Sequence, residues 1–486
     1  MRQYTTSCVL NRRLCSVVSP FPVATAAKAA RALAPLVSSP TATTTAKVLG
    51  RRGLRNSVIA VPPRSHPQSY PGSIPPSIQL SLESDALAIQ FSPTERVVHR
   101  FPYTWLRDSD PQLVHSATRQ KLHSSSQVPL DVGELPLKAE LTEDGTRVKI
   151  VWKWPNETEF SVEMLKRYSH LTLEDAFRHA IKPFPWTKKE LVRSDDLTMS
   201  YGSLCISKDD DAAVRRGIEQ LLKYGILFVE GIPSEETSDE RCETGKLARI
   251  FGIVRETIYG RLWDVVSRGE TSRNIAYTNL DLGSHMDLAY CENPPRYQVL
   301  HMLRNTGVVG GESIFSDGYH AAYTLLEEDR EAFDVLCQRP VAFQYMNEHH
   351  HLYREHRTIQ LASSVVVPEV AYINYSPPFQ APLPLHTSLD SRFLPALKKF
   401  TKLLHTDDRL YERAMKPGMA VIFDNRRILH GRREFQSQSQ RNGSVVEEEL
   451  GVQRWLKGCY LEGDVLLDRL RVIRDGRVLG GARGYV

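Results

Sequence analysis

No Asp or Glu occurs before Glu83, although that stretch carries Arg2, Arg12, Arg13, Lys28, Arg31, Lys47, Arg51, Arg52, Arg55 and Arg64 among many Ser, Thr and Ala. An acid-free, Arg- and Ser-rich N-terminus has the composition of a mitochondrial transit peptide. A disordered basic tail would share that composition. The formal charge of +5 therefore says little about the folded part: from Glu83 onward, 52 basic residues face 57 acidic ones. A basic surface for nucleic acid is not expected there. The seven cysteines include no C-x-x-C pair. Cys8 and Cys15 fall in the leader, and Cys205, Cys242, Cys291, Cys337 and Cys459 are scattered. This excludes both a disulfide framework and a cysteine-rich zinc site, and it fits a reducing compartment. No apolar run approaches the roughly 20 residues that cross a bilayer, so no membrane span is expected.

What is present is ordinary in bulk. With 486 residues, 41% hydrophobic and 24% charged, the chain suits one large domain or a large and a small one. Residues 1–80 combine the leader with a linker containing Pro62, Pro63, Pro67, Pro71, Pro75 and Pro76, which sustains neither helix nor sheet. Residues 81–170 read as a small β-rich N-terminal domain, with strands at Ala86–Phe91, Val97–Pro102, Glu134–Leu141, Val148–Trp152 and Glu159–Ser161. Turns are expected at Glu143-Asp144-Gly145 and Pro155-Asn156. Helical spacing begins after Ser161 and continues through Leu171–His179. Asp209–Asp211 then caps an amphipathic helix, Ala212–Tyr224, which Gly225 ends before a buried strand at Ile226–Val229. Further strand-like segments at Tyr297–Arg304, Glu312–Ser316, Val341–Tyr345, Val370–Tyr375 and Ala420–Phe423 predict a mainly β fold with flanking helices. The expected architecture for residues 171–486 is a double-sheet jelly roll, or double-stranded β-helix.

The chemistry concentrates in Ser284-His285-Met286-Asp287-Leu288 and, far downstream, Leu429-His430-Gly431. Two imidazoles and one carboxylate can cap one face of an octahedral Fe(II), leaving three positions open for cosubstrate and oxygen. A lone His-x-Asp is weak in a chain with 16 His. His430 adds weight because it follows a glycine turn and the apolar run Ala420–Phe423, which would return it to the mouth of a barrel. A buried, hydrogen-bonded histidine is the competing interpretation. His349-His350-His351 is a rival by composition, but adjacent strand residues point to opposite faces and cannot easily share one ion. Dioxygenases with this ligand set usually take two electrons from 2-oxoglutarate. Its distal carboxylate needs a planar, permanent cation such as Arg454, placed one return strand after His430. Arg432 and Arg433 compete for that role but sit too close to His430.

Tyr259–Leu303, Phe423–Phe435 and Arg454–Leu470, together with Trp105-Leu106-Arg107-Asp108, resemble γ-butyrobetaine dioxygenase and trimethyllysine dioxygenase, within the taurine dioxygenase-like 2-oxoglutarate enzymes. The likeness covers residues 85–475. It implies Fe(II) on His285, Asp287 and His430, with 2-oxoglutarate on Arg454, Leu300 lining the cosubstrate pocket, and ascorbate as reductant. It also implies an aromatic cage of Tyr259, Trp263, Tyr277 and Tyr460 for a trimethylammonium group. Such a group has no N–H to donate, so ring faces must recognise it, each contributing on the order of 0.5–2 kcal/mol. The sequence departs from the family twice. Ser109-Asp110-Pro111-Gln112-Leu113-Val114-His115 lacks the family's zinc-binding cysteines, and Thr158 stands where a later His is usual, so zinc is not expected. Asn274 matches one of two Asn residues that hold the substrate carboxylate, but Ser376 stands at the other. The implied activity is hydroxylation of γ-butyrobetaine to L-carnitine in the mitochondrial matrix by a homodimer, with trimethyllysine as the alternative substrate. A betaine-binding scaffold without turnover and a zinc-dependent barrel are alternatives from other classes.

Overall fold

The computed structural model describes residues 78–486 apart from 128–134, 154–156, 170–180, 206–210, 267–277, 348, 363–367, 438–453 and 475–486. The leader, nearly all of the Pro-rich linker, the helix expected at 171–179, the turn at Pro155-Asn156, and Asn274 and Tyr277 lie outside the described residues.

Two three-stranded antiparallel sheets open the described chain. The first contains β1 (Gln79–Leu82), β2 (Ala86–Gln90) and β3 (His99–Pro102). The second contains β4 (Pro136–Leu141), β5 (Arg147–Trp152) and β6 (Glu157–Ser161). Strict alternation in β5 and β6 sends Val148, Ile150, Trp152, Thr158 and Phe160 inward. They share a core with Leu87, Ile89, Phe101 and Leu165. β3 starts two residues later than expected, and Val97 and Val98 are exposed ahead of it.

Eight strands follow: β7 (Thr198–Ser200), β8 (Ile226–Glu230), β9 (Val254–Arg255), β10 (Trp263–Val266), β11 (Leu282–His285), β12 (Tyr297–Asn305), β13 (Val308–Gly310) and β14 (Ser313–Asp317). Two antiparallel pairs come next, β15 (Pro340–Met346) with β16 (His351–Arg357), and β17 (Ile359–Leu361) with β18 (Val370–Ile373). The chain ends with β19 (Tyr411–Arg413), β20 (Met419–Asp424), β21 (Ile428–Arg432), β22 (Phe435–Ser437), β23 (Arg454–Leu461) and a helix, Gly463–Arg474.

These strands build two facing sheets. The larger runs β10-β23-β12-β20-β8-β7, with β9 also on β23; every pairing is antiparallel except the β7–β8 edge. The smaller runs β11-β21-β14-β19. Between them Phe228 of β8 meets Phe315 of β14 at 5.8 Å, and Phe315 meets Phe423 of β20 at 5.8 Å. This is the double-sheet arrangement of a jelly roll. β20 is buried along its whole length because both its faces are covered. On its outer face, Val214, Ile218 and Leu221 of the helix Ala212–Tyr224 pack against Leu227, Val229, Ala420 and Ile422. Asp211 occupies that helix's cap position without making a side-chain cap bond, and Gly225 closes the helix at φ +75°. The helices Gly318–Glu328, Arg330–Gln338 and Phe393–Leu404 share another apolar cluster with Met286, Leu288, Leu429 and Tyr460. Among the described residues no helix is long and apolar enough to cross a membrane.

Candidate metal centre

The two sequence-distant histidines are direct cross-strand partners: His285 ends β11 and pairs with His430 of β21. Residues facing each other this way have their Cβ atoms roughly 5 Å apart, and the two imidazole centroids lie 4.4 Å apart. Gly431 makes the pairing possible, since a Cβ there would fall 2.2 Å from the Leu282 carbonyl oxygen. Asp287 lies just beyond β11, where Leu288 takes the left-handed conformation at φ +59°. That conformation is unusual for a branched residue and persists where surrounding contacts over-determine it. The constraint comes from Asn425, fully buried in the β20–β21 turn. Its Oδ1 accepts from Asp287 N at 2.8 Å, and its Nδ2 donates to the Asp287 carbonyl at 3.0 Å. Met286 N donates to the Tyr375 carbonyl at 2.8 Å.

Nε2 of His285 and Nε2 of His430 stand 3.4 and 4.0 Å from Asp287 Oδ1. All three donor atoms lie within 4.8 Å of one another. His285 Nδ1 donates to the Gly283 carbonyl at 2.9 Å, which leaves its Nε2 as a lone-pair donor. Burial and the neighbouring His285 push the His430 pKa down to about 3, so this imidazole is neutral, as a ligand must be. Burial raises the Asp287 pKa, but its contacts with His285, His430 and the Tyr460 hydroxyl outweigh it and hold the carboxyl ionised well below the usual range. Two imidazole nitrogens and one carboxylate, converging from adjacent strands and the loop after β11, fit a divalent iron. Among the described residues this is the one group of three or more His, Cys, Asp or Glu arranged to hold a metal. His349 and His351 are exposed and are not part of it.

Arg454 opens β23 and is buried to 5% exposure; its Nε has no hydrogen-bond partner. Its guanidinium lies over Phe435 at 5.4 Å, and Arg432 lies over the same ring at 4.8 Å. Burial, then Arg432, lowers the Arg454 pKa to about 9. A buried cation without a carboxylate is costly unless an anion arrives to offset it. Arg432 instead donates to the Thr278 and Leu280 carbonyls, while Arg433 pairs with Glu412. Leu300, half-buried on β12, faces Gly458 of β23 and Val421 of β20.

Tyr259, Trp263 and Tyr460 meet in the apolar cluster that also contains Met286 and Leu288. Trp263 and Tyr460 form a tilted pair at 5.3 Å, and Trp263 lies against Gly458, where a Cβ would approach its ring to 2.4 Å. Tyr259 shares a 3.0 Å hydroxyl contact with Tyr290. Tyr345 lies 6.1 Å from Tyr259 and 5.1 Å from Tyr290, and Phe379 is 5.2 Å from Tyr290. Sequence reasoning missed Tyr290, Tyr345 and Phe379. Tyr290 is only three residues past Asp287, a proximity that could have flagged it; Tyr345 and Phe379 carry no such signal. Ser376, 1% exposed, holds its Oγ without a partner next to the Tyr375 carbonyl that binds the metal loop.

At the N-terminal positions where the resemblance implies that zinc ligands have been replaced, Asp110 Oδ2 accepts from the Thr158 hydroxyl at 3.0 Å. That hydroxyl in turn accepts from the Trp152 indole at 3.0 Å. Gln112 donates to the Glu157 carbonyl at 3.0 Å. The side chains at these positions bind each other and the backbone.

A jelly roll presenting two imidazoles and one carboxylate from neighbouring strands defines a class, the non-haem single-metal oxygenases. Residues 202–460 match the family described as taurine catabolism dioxygenase TauD, TfdA family. The chain is 42% identical over 377 residues to dioxygenase str8 of Strobilurus tenacellus, covering 77% of this chain and 85% of that protein. It is 28% identical over 408 residues to mitochondrial trimethyllysine dioxygenase of Rattus norvegicus, covering 80% and 86%. Over 399 residues it is 28% identical to γ-butyrobetaine dioxygenase of Pseudomonas sp. strain AK-1, covering 81% and 96%. The chain belongs to the TauD/TfdA dioxygenase family. It is an enzyme that uses iron and 2-oxoglutarate.

Proposed function

We propose that the protein hydroxylates a trimethylammonium-bearing amino acid derivative, with γ-butyrobetaine, giving L-carnitine, as first choice and trimethyllysine as second. His285, Asp287 and His430 would hold Fe(II), Arg454 the distal carboxylate of 2-oxoglutarate, and Leu300 the wall beside it. The iron, when bound, supplies the activation of O₂ that the protein's own side chains cannot perform. The chain's share is positioning and exclusion of water. Asn425 and the β11–β21 register fix the three ligands, and the buried guanidinium of Arg454 orients the cosubstrate. The rings around Tyr259, Trp263 and Tyr460 would seat a cation beside the metal in a dry pocket. Tyr277, by the resemblance, would complete the cage, and Asn274 with Ser376 would meet the substrate carboxylate.

The observation carrying the substrate reading is the set of aromatic faces packed beside the His-x-Asp loop. One observation favours a second reading, a substrate other than a betaine. The chain is more similar to the fungal dioxygenase than to the betaine enzymes, and Ser376 gives a single short hydroxyl where an amide would reach further. Succinate release with Fe(II), ascorbate, 2-oxoglutarate and a betaine panel, with products identified by mass spectrometry, tests the proposal. A hydroxylated trimethylammonium product is expected. Turnover only with substrates lacking that group would overturn the substrate assignment and leave the oxygenase intact. The acid-free N-terminus and the mitochondrial relatives support a matrix location, which cell fractionation tests. The proposed homodimer is tested by light scattering.

A further inference from the structure

We propose that Tyr460 is a positioning residue for the metal carboxylate: its hydroxyl holds Asp287 Oδ2, so that Oδ1 alone faces the two histidines, while its ring stays part of the substrate wall. This inference rests on the metal assignment above and gives Tyr460 a second task beyond the cage. The Tyr460 hydroxyl donates to Asp287 Oδ2 at 2.8 Å, whereas both histidine Nε2 atoms approach the other oxygen, Oδ1. Asn425 clamps the N–H and C=O of Asp287 but leaves its side-chain torsions free. The phenol therefore does what the backbone clamp cannot, fixing the plane and rotation of the carboxylate.

The donor is reliable. Tyr460 is 3% exposed. A buried tyrosine hydroxyl needs a partner, and Asp287 is the one it has. The connection also crosses the fold. Tyr460 belongs to β23 of the larger sheet, while Asp287 follows β11 of the smaller one. Its ring packs against Trp263 in a tilted pair at 5.3 Å, so a ligand that moves these rings also moves a metal ligand. Substrate and metal would be sensed by one side chain.

Tyr460→Phe keeps the ring and removes the hydroxyl; Tyr460→Leu removes both. Anaerobic Fe(II) titration of Tyr460→Phe should show affinity weakened by roughly 10–100-fold, the usual cost of losing an outer-sphere partner of a ligand. Calorimetry with γ-butyrobetaine on the Fe(II)-saturated variant should show a smaller loss than Tyr460→Leu, because the ring face remains. Tyr460→Leu should lose both, with circular dichroism confirming the fold. In wild type, metal addition should also perturb the tyrosine ultraviolet difference spectrum, a signal reduced in Tyr460→Phe. Fe(II) affinity unchanged in Tyr460→Phe would overturn the proposal. If wild type binds Fe(II) but not γ-butyrobetaine, the substrate reading fails while the iron titration still decides the role of Tyr460.

Discussion

Arg454 is the residue whose setting most plainly calls for a ligand, because it is buried and, among the described residues, its Nε has no partner. Arg454→Ala should raise the 2-oxoglutarate KM by on the order of 100-fold, the scale of truncating one side of a buried charge pair. Fe(II) binding, followed by anaerobic titration, should be nearly unchanged; unaltered cosubstrate kinetics would remove the assigned role. Trp263→Ala should weaken a trimethylated substrate by roughly 2–30-fold, in proportion to one lost cation–π face. An equal loss for a neutral isostere of the same shape would argue against a cage. The histidines and Arg454 were legible in the sequence because their residue types suit few other purposes at those spacings. Asn425 was not: nothing in Phe423-Asp424-Asn425-Arg426 announces that its amide reaches the backbone of a residue 138 positions earlier.

At the scale of elements, the site depends on strands approaching closely enough to bring distant residues opposite each other. Gly431→Ala would drive a Cβ into the Leu282 carbonyl at 2.2 Å, separating β11 from β21 and moving His285 away from His430. Metal affinity should fall by more than tenfold although no ligand is changed, as read by Fe(II) titration alongside circular dichroism. Gly458→Ala would push Trp263 off β23 and should reproduce the substrate defect of Trp263→Ala while sparing 2-oxoglutarate binding. Strand positions were readable from alternation and apolar runs: β8, β12, β14 and β20 fall within a residue or two of expectation. Their pairing order was not readable, because a strand's sequence records which faces are buried and not which neighbour covers its edge.

For the whole molecule, metal binding and folding should be linked. A ligand present at 100 times its Kd stabilises the native state by about 2.7 kcal/mol, so chelation should lower the thermal midpoint, and His285→Ala should abolish that shift. A pH effect with a definite sign should appear in the metal-free protein. Burial lowers the His301 pKa from 6.5 to about 4, and it lowers that of His356 as well. Between about 4 and 6.5 the unfolded chain binds the proton and the folded chain does not. This contribution to stability is complete above about pH 6.5 and is lost as pH falls toward 4. Urea midpoints across that range should fall with pH, with a shallower slope in His301→Gln; a flat profile would contradict the burial assigned to His301.

The sequence by itself determined the β-rich fold class, and it singled out the three candidate metal ligands and the candidate anion partner. Hydrophobic periodicity and rare residue combinations are local properties that survive in one dimension. Only the tertiary structure decided that His285 and His430 face each other across one strand pair, that Tyr290, Tyr345 and Phe379 extend the aromatic wall, and that Asn425 of the β20–β21 turn and Tyr460 of β23 both hold Asp287. Those relations arise from strand order and close backbone approach, which depend on how all the apolar faces are buried at once.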